Sequence, residues 1–139
     1  MIYAASFFCP EHHHGRLVAI SHSLPKGWNG KVDRLSILAP TQRILDDYKA
    51  RRIGEAQYVE AYRDRLSDVW PTVKAWLNSL EPEIDQTLLC WEKPGQFCHR
   101  NLVLQMVQKH RPDCHGGADI LAVQPEQMVL LEVAGIEQD

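Results

Sequence analysis

The run Thr-Leu-Leu-Cys-Trp at residues 87–91 constrains this chain more than any other feature. It shows no polar alternation, the pattern of a strand covered on both faces. Such strands belong to largely parallel sheets with helices packed on them. The rest of the chain fits that frame. Residues 2–8 are β-branched, aromatic and uncharged, and read as a first buried strand. Residues 17–20 (Leu-Val-Ala-Ile) read as a second, after a loop carrying Cys9, Pro10, Glu11, His12, His13, His14 and Gly15. Pro25, Gly27, Asn29 and Gly30 punctuate another loop.

The middle of the chain is helical. Thr41 after Pro40 is a candidate N-cap, with Ile44, Leu45 and Tyr48 following at helical spacing, and Gly54 is expected to end or break that helix. Tyr58, Tyr62, Leu66 and Val69 form the stripe of a second helix. A third begins near Pro71 and carries Val73, Trp76, Leu77 and Leu80. After the strand at 87–91, Leu102, Val103, Met106 and Val107 share one helical face, and His110 and Arg111 suit a helix C-terminus. The loop around Cys114, with Pro112, Gly116 and Gly117, reads as a flexible surface turn. Residues 119–123 read as a further strand, and 128–133 as strand or short helix. Strand, helices, strand, helix, strand is the rhythm of an α/β chain, here expected as one domain over residues 1–139.

Composition limits function. The 139 residues carry a net charge of −3, which argues against a broadly basic surface for duplex DNA and leaves room for a small basic pocket. No stretch approaches the ~18 apolar residues of a membrane span, and the N-terminus lacks the positive region of a signal peptide. The expectation is therefore a cytoplasmic protein without membrane attachment. Four cysteines do not make a disulfide framework in such a chain; each is core, ligand or nucleophile.

The candidate site follows the buried strand. In open α/β sheets, ligands sit beyond the carboxyl ends of the strands. Glu92 to Arg100 lies at that edge, with Gly95 letting the backbone come close, and Cys98, His99 and Arg100 at the start of the next helix. Helix starts offer unpaired N–H groups and partial positive charge. With a guanidinium and an imidazole these make a candidate anion site, and a thiol there is a better nucleophile. Cys98, His99 and Glu92 are the candidate catalytic residues; Arg100, Ser6 and Cys90 are the candidate ligand contacts. The plainer alternatives stay open. Cys90 and Cys98 can be core, His99 can cap the helix or bond a backbone carbonyl, Arg100 can pair with Glu92, and Ser6 can bond its own turn. Zinc on Cys90, Cys98, His99, Cys114 and His115 is disfavoured by poor spacing, so no metal and no cofactor are expected. Trp28, Trp70, Trp76 and Trp91 could stack on bases, although three of them fall in core-like segments.

The pattern Leu88-Leu89-Cys90-Trp91-Glu92, a short loop, then Cys98-His99-Arg100 and an apolar helix resembles the Domain of Unknown Function 488 family of small prokaryotic proteins. The resemblance extends to Ser6-Phe7-Phe8, Ala19-Ile20-Ser21, Leu24-Pro25, Leu38-Ala39-Pro40-Thr41 and the helix with Tyr62 and Leu66. It spans most of the chain to about Val123. It implies an α/β fold and a site around Glu92, Cys98, His99 and Arg100, but no reaction. The family often has a serine-arginine pair where this chain has Ser21-His22, which puts a second cationic contact in doubt. The expected function is binding of, and action on, a phosphate-bearing ligand such as a nucleotide or nucleic-acid end. The alternative is a non-catalytic interaction module with a structural Cys-His-Arg element and a protein partner unknown from sequence.

Overall fold

The computed structural model describes residues 1–94 and 96–118. Within them the chain forms β1 (Ile2–Ser6), β2 (Arg16–Ala19), β3 (Asp33–Arg34), α1 (Gln42–Lys49), α2 (Glu55–Asp68), α3 (Trp70–Ser79), β4 (Gln86–Cys90), α4 (His99–His110) and β5 (His115–Ala118). The strands make one sheet in the order β3-β2-β4-β1-β5, and every pairing is parallel. Gly95, the strand expected at 119–123 and the segment at 128–133 lie outside the described residues.

The unalternating strand is where its composition requires. β4 is third of the five strands, and Thr87, Leu88, Leu89 and Cys90 are all buried. Leu88 shares a core with Ile2, Ala4, Val18 and the helical residues Tyr62, Leu66, Val73, Leu102 and Val103. Leu89 faces the other way, with Ala5, Phe7 and Ala19, under Leu24, Trp28 and Val32. The helices therefore take one face and loops the other. Handedness explains this. The β3-to-β4 and β4-to-β5 crossovers step the same way across the sheet, so right-handed connections bring both to one face. The β1-to-β2 link steps the opposite way and runs over the second face. There the His14 N–H donates to Thr87 Oγ1, and that hydroxyl donates to the His14 carbonyl, each at 2.7 Å. The buried threonine of the central strand is thus satisfied.

Local chemistry sets the helix ends. Thr41 Oγ1 accepts from the Ile44 N–H at 3.2 Å and starts α1. Gly54 does not end that helix, as its composition suggested. α1 stops at Lys49, Arg51 takes the left-handed conformation (φ 59°), and Gly54 is the N-cap of α2, its N–H held by Gln57. Tyr62, fully buried on α2, donates its hydroxyl to the Leu38 carbonyl at 2.6 Å and ties the helix to the segment before α1. Pro71 falls in the first turn of α3, where its missing N–H costs nothing. Arg111 covers the end of α3 by donating to the carbonyls of Leu77 and Leu80.

The expected surface turn around Cys114 is instead structural. Cys114 is fully buried, and Gly116 and Gly117 lie in β5 beside β1. A Cβ on Gly116 would come within 2.8 Å of the Ile2 carbonyl and the Tyr3 ring, so the glycine is there for close approach. Among the described residues, no helix is long and apolar enough to cross a membrane.

Candidate functional site

The carboxyl end of β4 delivers Cys90 to the sheet edge, and the next residues return to α4 with Cys98 as its N-cap. Cys98 is extended (φ −156°) and its side chain makes no capping bond. Its sulfur instead lies 3.4 Å from Glu92 Oε2 and 3.6 Å from His99 Nδ1, in contact with the Cys90 sulfur. The two cysteine Cα atoms stand 7.8 Å apart. A relaxed disulfide spans about 4.4–6.8 Å, so the backbone favours two sulfurs meeting over a stable cross-link.

His99 Nε2 meets the Ile20 carbonyl at 2.7 Å. A carbonyl only accepts, so Nε2 carries the proton and Nδ1 turns a bare lone pair toward Cys98. Burial holds this imidazole neutral, pushing its pKa down to about 4, and the charges of Arg100 and His22 add to the effect. Arg100 is completely buried. It donates to the Cys90 sulfur at 2.8 Å and to the Lys93 carbonyl at 3.3 Å.

A cavity of about 430 Å³ opens over this cluster. Cys90, Glu92 and His99 form one wall, Ser21, His22 and Ser23 after β2 another, and Gln42, Leu45 and Lys49 of α1 a third. Trp91, 42% exposed, stands at the rim, its Nε1 donating to the Ser23 carbonyl. A neighbouring cavity of about 360 Å³ shares Leu45, Lys49, Glu92 and Gln96 and continues to Tyr48, Glu55, Tyr58 and Phe97.

A family model described as the active DUF488-N3 subclade matches residues 10–111. The chain belongs to this family. No curated protein and no solved structure matches it. The family match runs from the loop before β2 to the end of α4, so every residue lining the cavity of this DUF488-N3 protein lies inside it.

Of the residues singled out in the DUF488-N3 sequence, Cys90, Glu92, Cys98, His99 and Arg100 come together. Ser6 stands opposite Cys90 on the neighbouring strand, fully buried and absent from the cavity wall, and its hydroxyl accepts the Phe8 N–H. Arg100 lies beneath the Cys90 sulfur and is absent from the cavity wall. Lys49, from the last turn of α1, is a cation on that wall, which His22 also lines. Gln42 and Gln96 were also not foreseen; no motif marks them, and only the Thr41 cap hinted that α1 starts at this edge. The donor atoms of Cys90, Cys98 and His99 all lie within 4.8 Å of one another and are buried. Cys114 and His115, grouped with them on composition, are not in that cluster. Cys9, Glu11 and His12 make a second, more exposed group.

Proposed function

We propose that this cavity binds a phosphate-bearing ligand, such as a nucleotide or a nucleic-acid end, and that the Cys98–His99–Glu92 set is the chemical centre acting on it. The observation that carries this is the placement of the set: Glu92 and His99 on the wall of an open cavity at the carboxyl edge of a parallel sheet, with the buried Cys98 sulfur 3.4 Å from the one and 3.6 Å from the other. Lys49 supplies cationic contact for phosphate and His22 a ring nitrogen, Ser21 and Gln42 suit sugar hydroxyls, and Trp91 offers a face for a base. The volume suits a small ligand. The description of the matched subclade as active supports a reaction. We place the protein in the cytoplasm, where its thiols stay reduced.

A second reading is a non-catalytic module. Its support is that Cys98, His99 and Arg100 are all buried and bonded within the chain. Calorimetric titration with a nucleoside 5′-monophosphate and with the bare nucleoside separates the two. The ligand reading expects the phosphate to strengthen binding at least tenfold and Lys49→Ala to cancel that gain. Equal or absent binding of both compounds would leave the module.

A further inference from the structure

We propose that Cys90, Cys98 and His99 bind one zinc ion, with Glu92 on the side that opens to the cavity. This goes beyond the ligand reading: it leaves the phosphate contact at Lys49 as it stands and puts a metal, in place of a free thiol, at Cys98. Zinc takes thiolate and imidazole donors tetrahedrally, at about 2.3 Å from sulfur and about 2.0 Å from nitrogen, so its sulfur and nitrogen ligands sit about 3.6 Å from each other and its two sulfurs about 3.8 Å. The Cys98 sulfur and His99 Nδ1 already stand 3.6 Å apart. The Cys90 and Cys98 sulfurs are closer than a shared metal would hold them. Their Cα separation of 7.8 Å gives the side chains room to part.

Three further features belong to a metal site. The His99 Nε2–H donates to the Ile20 carbonyl, the outer-shell bond that fixes a ligating imidazole and directs its other nitrogen to the metal. Charge balances as well. Two thiolates and the Glu92 carboxylate bring three negative charges, and zinc with the Arg100 guanidinium brings three positive ones. Buried charge is tolerated when it is compensated in this way, and Arg100 already bonds one of the sulfurs. Finally, Glu92 Oε2 lies 3.4 Å from the Cys98 sulfur, close to the spacing of two ligands on one zinc. Because Glu92 also lines the cavity, the fourth position faces the space where a ligand would enter. Cys90 ends β4, Cys98 is the N-cap of α4 and His99 its first residue.

The test uses the full chain, reduced and stripped with a chelator, then titrated with cobalt(II) and zinc(II). The expected result is one metal per chain, an intense thiolate-to-cobalt charge-transfer band, and displacement of cobalt by zinc. Cys98→Ser should greatly weaken that band, and Cys9→Ser should leave it intact. Zinc should also protect Cys90 and Cys98 of the unmodified chain from alkylation while Cys9 still labels, which keeps the test valid if a variant fails to fold. Absence of the band in the reduced chain would overturn the proposal. So would a band untouched by Cys98→Ser but lost with Cys9→Ser, which would move the metal to the Cys9–Glu11–His12 group. Lys49→Ala should keep the metal whatever it does to nucleotide binding, so this result and that of the ligand reading can fail separately.

Discussion

Burying a neutral imidazole at His99 couples the fold's stability to pH. The ring titrates near 6.5 when free and at about 4 in the folded chain, chiefly because burial penalises its charged form. Between those values the unfolded chain takes up a proton that the folded chain refuses. Acid therefore favours unfolding: the stabilisation is fully present above pH 6.5 and is lost as pH falls toward about 4. The total is roughly 3 kcal/mol, of which about 2 kcal/mol is gone by pH 5. The perturbation is His99→Gln, which keeps a donor for the Ile20 carbonyl but cannot titrate. Urea unfolding of metal-free wild type and variant, followed by tryptophan fluorescence at pH 7.5 and pH 5, gives two differences. Losses from carboxylates are common to both proteins and cancel. The wild type should lose about 2 kcal/mol more than the variant over that interval. Equal losses would refute the reasoning, and with it the view that this imidazole stays neutral in the fold.

Other consequences follow from single contacts. Tyr62→Phe strands the Leu38 carbonyl in the core and should cost about 1–3 kcal/mol by denaturant titration. Gly15→Ala should cost more than ~1 kcal/mol: Gly15 sits at φ +63°, and a Cβ there would meet the Asp85 carbonyl oxygen at 2.2 Å. Arg100→Lys keeps the charge but loses the fork that reaches both the Cys90 sulfur and the Lys93 carbonyl, so thermal stability should fall by roughly 2 kcal/mol. Timed alkylation of the folded chain should label half-buried Cys9 well before fully buried Cys114, whose thiol is pushed up by its burial.

The parts of this fold that were legible in the sequence are those where one physical signal dominates. β4 announced itself by lacking alternation, because both of its faces are covered. α2 and α3 showed through their apolar stripes and the proline of a first turn. Signals that admit two readings hid the rest. β3 is Asp33 and Arg34, both exposed, and has no hydrophobic pattern to read. Gly116 reads as a turn residue, yet it is needed for a close approach between strands. Gly54 could stop one helix or start another, and only the Gln57 bond decides. The site was legible as a cluster, since Cys98, His99 and Arg100 share one helix start. Its internal arrangement was not. Whether Arg100 faces a ligand or sits beneath a sulfur depends on packing against Cys90, ten residues earlier, with no visible pattern joining the two. Cys90 admits two readings, core and ligand contact, and it lies where they meet: 1% exposed and still on the cavity wall.

The strand order has a consequence for how the chain is made. β1 pairs only with β4 and β5, and β2 reaches the rest of the sheet only through β4. During synthesis the first strand leaves the ribosome with no partner. It must wait through three helices before the strand that will hold it appears. Until then Ile2, Ala4 and Phe7 have no sheet to pack in. When β4 appears it joins β1 to β2, and Cys98 follows Cys90 by eight residues on the growing chain. The cysteine cluster is thus assembled before α4 and β5 complete the core.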